Sequence, residues 1–246
     1  MKLTKEERRA NRQAFRGMSW SKRLDYLLTY YRLALLLGIA ALLVVGSMIR
    51  GQLTKKEPLL YVGLLNVTIG SELEAKLTTD WVTQLADAPK RSSVELYQGL
   101  YLTDDPSSEA YQYVYASRMK LLAMLESKQL DVVLMNREAY DTLSQSGYLL
   151  ELEGLLGSDG DIGGDARLAR YLVRNLVIYK DNAEAHAMDE SIPYEAVTGE
   201  EVNGLDCSAW PVFAKAGFQE PVYLGVIANS PRTEQVMNYL RFLSND

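Results

Sequence analysis

The chain is poor in the residues that carry most catalytic and metal chemistry. Its 246 residues include one histidine, His186, and one cysteine, Cys207. A single cysteine cannot form an intramolecular disulfide or a multi-cysteine metal site, and a lone histidine offers no zinc-binding pair. The glycines form no phosphate-binding loop, and no nucleophile elbow is present. The sequence therefore predicts no enzyme activity, no metal site and no cofactor.

One acidic turn has some features of a calcium loop. Residues 158–165 read SDGDIGGD, with three aspartates spaced around glycines. Counted from Asp159, an EF-hand loop needs an oxygen donor at the fifth position and a glutamate at the twelfth. Those positions hold Gly163 and Arg170, so we interpret the segment as a flexible acidic turn.

Basic residues are scarce after the first fifty positions. Residues 1–50 hold ten lysines and arginines against three acidic residues, a net charge of +7. Since the whole chain carries −6, residues 51–246 carry −13. The one basic cluster lies beside an apolar run, where anionic lipid explains it better than nucleic acid does. We therefore expect no nucleic-acid partner.

That apolar run, Leu33–Ile49, has seventeen uncharged residues between Arg32 and Arg50. As a helix it is about 25 Å long, and Tyr30 and Tyr31 can extend it at the interface of a hydrocarbon core of roughly 30 Å. We interpret it as a single transmembrane helix with the lipid bilayer as its partner. Nine of the ten basic residues precede it. The positive-inside rule then predicts a cytoplasmic N-terminus and an extracytoplasmic C-terminal part, compatible with a bacterial plasma membrane.

Two alternatives stay open in this N-terminal region. A cleaved signal peptide would need a cleavage site before Ser47, but both the basic lead and the apolar run exceed the usual lengths. Within the basic segment 1–32, apolar residues recur at the helical period. These residues predict a helix that either lies in the cytoplasmic interface or continues into the span. They are Trp20, Leu24, Leu27, Leu28 and Tyr31.

After a tether at residues 50–57, residues 58–246 alternate between apolar runs and helical stripes. The predicted strands are Leu59–Val67, Val94–Tyr101, Leu130–Met135 and Val222–Ala228. Helices are predicted from a capping box at Ser71, from Asp105-Pro106, from Asn136 and from Ser230-Pro231. This order predicts an α/β domain with a parallel or mixed sheet and flanking helices. Residues 168–179 read as a strand or a helix running into one, and residues 180–204 as a loop.

The passage Leu121–Leu156 resembles the extracytoplasmic solute-binding proteins of ABC importers, which have the type 2 periplasmic-binding fold. The resemblance lies in a strand with an aspartate before two apolar residues, a cleft residue at Asn136, a helix ending at Gly147, and Glu151-Leu152. The closing segment PVYLGVIANSPRTEQVMNYLRFL is similar to that family's return into its first lobe. The resemblance implies that residues 155–220 are a reduced second lobe or an insertion.

Ligands of open α/β sheets collect at the carboxyl ends of the strands. This rule selects polar residues that could hold a small polar ligand: Asn66, Thr68, Ser71, Thr103, Asp104, Asn136 and Arg137. Tyr101 joins them as an aromatic candidate, exposed like Tyr113, whereas Tyr111 and Tyr115 are expected in the core. Capping alone also explains Ser71 and Asn136.

Three functions follow from these patterns. The resemblance implies a non-catalytic solute-binding module that serves a transporter, such as an ABC permease, or a surface sensor. The alternative is an eroded binding fold that acts as a structural or interaction subunit of a membrane complex. An extracellular hydrolase is the third, and no set of residues supports it. Cleft geometry separates the first two, because a ligand site requires Asn66, Thr103 and Arg137 to line an open cleft.

Overall fold

Two parts of the chain are described separately. A computed structural model describes residues 19–20, 32–54, 57–85, 89, 91–103, 111–156 and 166–245. The chain divides into two units, Met1–Lys55 and Lys56–Asp246. The predicted interfacial helix after Trp20, the acidic turn at 158–165, Asp104 and the Asp105-Pro106 helix start lie outside the described residues.

The first unit contains helix α1, Arg32–Thr54. It includes the whole apolar run, and its large apolar side chains are exposed, with Leu33, Leu42 and Met48 each about 70% accessible or more. Searched over the described residues, the chain has no helix that is both long and apolar enough to cross a membrane. The tether predicted from Arg50 is helical as far as Thr54, because the first proline after the run is Pro58.

The second unit is built around a six-stranded sheet, and of the two arrangements that the sequence allowed, parallel or mixed, it is mixed. Its strands are β1 (Glu57–Leu65), β2 (Ser92–Leu100), β3 (Val132–Met135), β4 (Leu172–Asp181), β5 (Ala196–Asp206) and β6 (Tyr223–Val226). They lie in the order β2-β1-β3-β6-β5-β4. β1 is parallel to β2 and β3, whereas β6 is antiparallel to both β3 and β5, and β4 is antiparallel to β5. The strand order reverses between β1 and β3.

Short helices connect these strands. After β1 come α2 (Ser71–Ala75), a π-helical segment (Lys76–Asp80) and α3 (Trp81–Gln84). The others are α4 (Tyr111–Glu126), α5 (Arg137–Gln145), α6 (Glu153–Leu156), α7 (Ala166–Ala169), α8 (Ala183–Met188), α9 (Pro211–Ala216) and α10 (Thr233–Asn245). The predicted strands and the last helix were placed within about three residues of their observed bounds.

Helices cover both faces of the sheet. In β3, Val132 and Leu134 point into one core, and Val133 and Met135 into the other, because successive side chains of a strand face opposite ways. The first core also holds side chains from α3, α9 and α10, and the second holds side chains from α4 and α5. The domain is therefore a three-layer α/β/α structure.

Residues 172–206 extend this sheet rather than build a second one. α7 runs into β4, as one of the two interpretations of this segment predicted, but the loop predicted at 180–204 is wrong. β5 occupies part of it and forms a long hairpin with β4. Only Leu205 and Asp206 of β5 pair with β6. The rest of β5 pairs with β4 alone.

Helix α4, which follows the second strand, leaves part of its apolar surface exposed. Val114, Leu121 and Met124 are buried, whereas Tyr115 is 60% exposed and Met119 50% exposed. The expectation that Tyr115 belongs to the core is therefore wrong. The side chain of Tyr111 lies outside the described residues.

A buried ion pair connects the segment before α10 to the start of β3. Asp131, which is fully buried just before β3, accepts hydrogen bonds from the backbone N–H of Tyr61 at 2.8 Å and from the Ser230 hydroxyl at 2.6 Å. The Arg232 guanidinium lies 3.0 Å from the same carboxylate and 4.6 Å from the Tyr61 ring centre. Because every oxygen of the carboxylate has a partner, the charge is compensated where water cannot reach it.

Candidate functional site

The end of β1 is shaped by Asn66, the first predicted site residue. Its backbone has φ of 57°, in the left-handed region that asparagine tolerates better than most residues. Its side-chain amide donates to the carbonyl of Leu102 at 2.6 Å and to Oδ1 of Asn136 at 3.2 Å. Its Oδ1 accepts the Leu102 N–H at 2.8 Å. Asn66 therefore joins the carboxyl ends of β1, β2 and β3 with its own polar atoms.

Asn136 is the helix cap that the sequence predicted. Its Oδ1 accepts the N–H of Ala139 at 3.1 Å, which satisfies one free donor of the first turn of α5. The same oxygen receives the bond from Asn66. In doubly wound sheets the ligand crevice opens where the strand order reverses, which here lies between β1 and β3. The Asn66–Asn136 hydrogen bond spans that position.

Thr103 also lies at the carboxyl edge of the sheet, and its side chain points into the domain. Its side chain is mostly buried, and its hydroxyl donates to Oε1 of Glu138 at 2.5 Å. This bond links the segment after β2 to the first turn of α5. The structure brings Asn66, Thr103 and Asn136 to the same edge, where their described hydrogen bonds connect the strand ends to the first turn of α5.

Arg137 is committed to its neighbours on α5 and β6. Its Nε lies 2.9 Å from a carboxylate oxygen of Asp141, one helical turn later. The guanidinium also lies 5.7 Å and 5.8 Å from the ring centres of Tyr140 and Tyr223. The hydrogen bond to Asp141 is the main cause that raises the pKa of Arg137. The predicted bidentate contact with a ligand would have to compete with this ion pair.

The remaining predicted residues are spread around the edge. Thr68 and Ser71 are at least partly exposed. The predicted capping box does not form. The N-cap of α2 is Gly70, one residue before Ser71, and glycine has no side chain that could accept a capping hydrogen bond. Tyr101 was expected to be exposed but is half-buried, with its ring centre 6.4 Å from that of Tyr113, which is 52% exposed.

A second polar network lies behind α5 and had no signal that we recognised in the sequence. The Tyr140 hydroxyl donates to Oδ1 of Asn203 on β5 at 3.0 Å, and Asn203 donates to the Ser144 hydroxyl at 2.8 Å. Ser144 in turn donates to the Leu176 carbonyl of β4 at 2.8 Å. Burial raises the pKa of Tyr140, so its hydroxyl stays protonated as a donor. The network fixes the base of the hairpin to α5.

Cys207 and His186 each make a hydrogen bond within the domain. Cys207 is fully buried, and its thiol donates to the Val222 carbonyl at 3.2 Å. Burial raises the pKa of this thiol well above its ordinary value, which removes nucleophilic character. Nδ1 of His186 lies 2.7 Å from the Ile192 carbonyl. Within the described parts of the chain, no three histidine, cysteine or carboxylate side chains are grouped to hold a metal ion.

Two cavities adjoin the carboxyl edge of the sheet through Leu102, which follows β2, and Gly70, which follows β1. The larger, about 530 Å³, is bounded by α4, α5 and β4, and its walls include Arg118, Leu122, Tyr148, Ile178 and Lys180. The smaller, about 240 Å³, lies between α2 and α9. The larger cavity has the volume of a small-molecule site, and neither cavity was predicted from the sequence.

Comparisons with known proteins give little further information. No protein-family model and no curated protein matches this chain. A solved structure of full-length OxyR from Pseudomonas aeruginosa, in a cysteine-to-aspartate variant, aligns with 93% of this chain and 78% of its own, at 15% identity and a TM-score of 0.27. A score this low carries no argument about fold or function.

Proposed function

We propose that the chain is a membrane-anchored interaction subunit, built on a one-lobed binding-protein-like domain, that acts without covalent chemistry. The observation that carries this proposal is the hydrogen bond between Asn66 and Asn136 across the position where a ligand crevice would open. With Thr103 bonded to Glu138 and Arg137 paired with Asp141, four of the polar residues expected to bind a ligand make their contacts within the domain. Of the first two functions considered above, solute binding and an interaction subunit, the interaction subunit fits these contacts better.

The membrane anchor in this proposal is α1. Its support is the seventeen-residue uncharged run Leu33–Ile49, a length at the lower end of the range for spanning helices. The charge asymmetry favours residues 1–32 in the cytoplasm and the acidic domain outside. Protease added to intact cells should then digest the domain, and alkaline carbonate should leave the full chain in the membrane fraction. A protected domain, or a chain released by carbonate, would refute the anchor.

Solute binding is the second candidate, and the cavity of about 530 Å³ is the observation that favours it. Arg118 and Lys180 offer positive charge beside apolar walls that include Leu122 and Ile178. In this version the chain would present a solute to a transporter. The resemblance to importer binding proteins makes an ABC permease the first partner to test.

One experiment separates the two candidates. The full chain is extracted from native membranes in mild detergent, its assembly size is measured, and its melting temperature is followed with sugars, amino acids, short peptides and metal ions. We expect a complex larger than the monomer in its micelle and no rise in melting temperature. A rise of more than about 2 °C that is lost in Leu122→Trp, which fills the cavity, would favour solute binding instead. A lone monomer without any ligand response would contradict both.

A further inference from the structure

We propose that the tip of the β4–β5 hairpin, residues 179–201, docks a protein partner whose contact face carries lysine and arginine around an apolar centre. This inference rests on the proposed interaction function and names the chemistry of the partner. It is carried by exposed apolar side chains, a preformed backbone and uncompensated negative charge on the same tip.

The apolar side chains of the tip are unusually accessible. Met188 is 88% exposed, Val197 61%, Tyr179 58% and Tyr194 48%. The domain could have buried these residues against its helices, as it buries Tyr140 at the base of the same hairpin. Aromatic residues and methionine are enriched where protein interfaces lose water, so this composition is typical of a contact surface.

The tip is also ordered by its own hydrogen bonds. Asn182 donates to the Pro193 carbonyl at 2.9 Å and accepts the Glu195 N–H at 2.7 Å, which closes the end of the hairpin. His186 contacts the Ile192 carbonyl, and the Ser191 hydroxyl donates to Asp189 at 2.7 Å. Because the backbone is already fixed, binding would cost little ordering entropy.

The net charge of the tip indicates which kind of partner surface it can bind. The tip holds one lysine against seven aspartates and glutamates, a net charge of −6. Glu184, Glu190, Glu195 and Glu200 are exposed, and none forms an ion pair with a described lysine or arginine. A basic rim on the partner would complement them, whereas a second copy of the tip or an anionic lipid surface would be repelled.

The test uses the full chain in native membranes with a photo-crosslinking amino acid at Val197. The same amino acid at Met119, which is 50% exposed on α4, is the matched control. We expect one protein adduct at Val197 that falls about tenfold when salt is raised from low to molar concentration, and no such adduct at Met119. The triple variant Glu184→Lys, Glu190→Lys, Glu195→Lys should lower the adduct at least as much.

Two further variants keep the result interpretable. Glu57→Lys, Glu126→Lys, Glu220→Lys changes the net charge equally outside the tip and should leave the adduct unchanged. Met188→Ser with Tyr194→Ser should weaken the adduct without altering the melting temperature. Once the adduct is identified, reversing lysine or arginine to glutamate on the partner should restore binding to the reversed tip.

The proposal is overturned by an adduct between two copies, by an adduct with lipid only, by no adduct, or by one that salt and charge reversal leave unchanged. The proposed function has a separate readout, the size of the native complex. A complex that survives the reversed tip leaves the interaction function standing and refutes the tip. The absence of any complex for the unmodified chain refutes both.

Discussion

The parallel half of the sheet and the antiparallel hairpin treat polar groups in opposite ways. At the ends of β1, β2 and β3, asparagine, threonine and arginine side chains are bonded to neighbouring segments. At the hairpin tip, Glu184, Glu190, Glu195 and Glu200 are exposed and form no ion pair with a described lysine or arginine, and the Tyr179 and Tyr194 rings are exposed while their hydroxyls donate to Glu201 and Asp181. At the strand ends, then, Asn66, Thr103 and Asn136 make hydrogen bonds between neighbouring segments, whereas the tip has a net negative charge beside exposed apolar side chains. Four predictions test this contrast, ordered from the largest expected effect to the smallest.

Asp131→Ala should lower the free energy of unfolding by about 3–5 kcal/mol, because it leaves the Arg232 charge beside buried groups without its partner. Urea unfolding of the full chain in detergent measures the change. The matched control is Glu153→Ala, which removes an ion pair with Arg174 whose two side chains are about 60% exposed. That control should cost less than about 1 kcal/mol. Equal losses for the two variants would contradict the distinction between buried and exposed pairs.

Asn66 contributes to the stability of the domain through its backbone conformation and through its side-chain hydrogen bonds, and two variants separate these contributions. Asn66→Gly keeps the left-handed backbone and loses the side-chain hydrogen bonds, which should cost about 1–2 kcal/mol. Asn66→Ala should cost about 1 kcal/mol more, because alanine also resists a positive φ. Thermal and urea unfolding provide the values. If the alanine variant were as stable as the glycine variant, the backbone at this position would not be strained.

Two glycines of β5 face tyrosine rings, Gly204 at the base of the hairpin and Gly199 at its tip. A Cβ at Gly204 would lie 2.6 Å from the ring of buried Tyr140, so Gly204→Ala should cost about 1–3 kcal/mol. A Cβ at Gly199 would lie 2.7 Å from Tyr179, but that ring is exposed and can turn away. Gly199→Ala should therefore change stability by less than about 0.5 kcal/mol. Similar costs at both positions would mean that the tip is packed as tightly as the base.

Alkaline pH should destabilise the domain through buried protons. Burial raises the pKa of Cys207 above its ordinary value of 9.0 and that of Tyr140 above 10.0. The unfolded chain loses these protons above their ordinary pKa values while the folded chain keeps them, so stability falls as pH rises past 9. Cys207 alone should account for about 1 kcal/mol between pH 9 and 10. Cys207→Ala should flatten that part of the profile, and an unchanged slope would rule the thiol out.

Some elements could be predicted because several signals coincide in one short segment. Leu130–Met135 is uniformly apolar apart from Asp131 and is followed by Asn136, whose residue type favours a helix cap. The strand, the cap and the helix after it were placed correctly. The position of Asn66 at the end of a predicted strand also marked it as a candidate site residue. Its role could not be predicted, since its hydrogen-bond partners are 36 and 70 residues away.

Other elements gave misleading signals for physical reasons. The outer part of β5, Ala196–Glu201, is largely exposed on both faces, so it lacks the apolar alternation by which half-buried strands are recognised. Helix α4 has apolar residues on more than one side, and its buried face includes Ser117 while Tyr115 faces water. At α2, serine and glycine are adjacent and both suit a helix start, so the sequence favoured Ser71 where the chain uses Gly70.

The strand order sets when this domain can finish folding. β6, Tyr223–Val226, lies between β3 and β5, so the middle of the sheet is supplied by one of the last segments of the 246-residue sequence. Until that segment leaves the ribosome, the β1–β3 half and the hairpin have no strand to join them, and each exposes an unpaired edge. A nascent chain of this protein therefore depends on late, long-range pairing, which is slow and prone to aggregation. Loss of the final strand and helix would remove the centre of the domain rather than trim its margin.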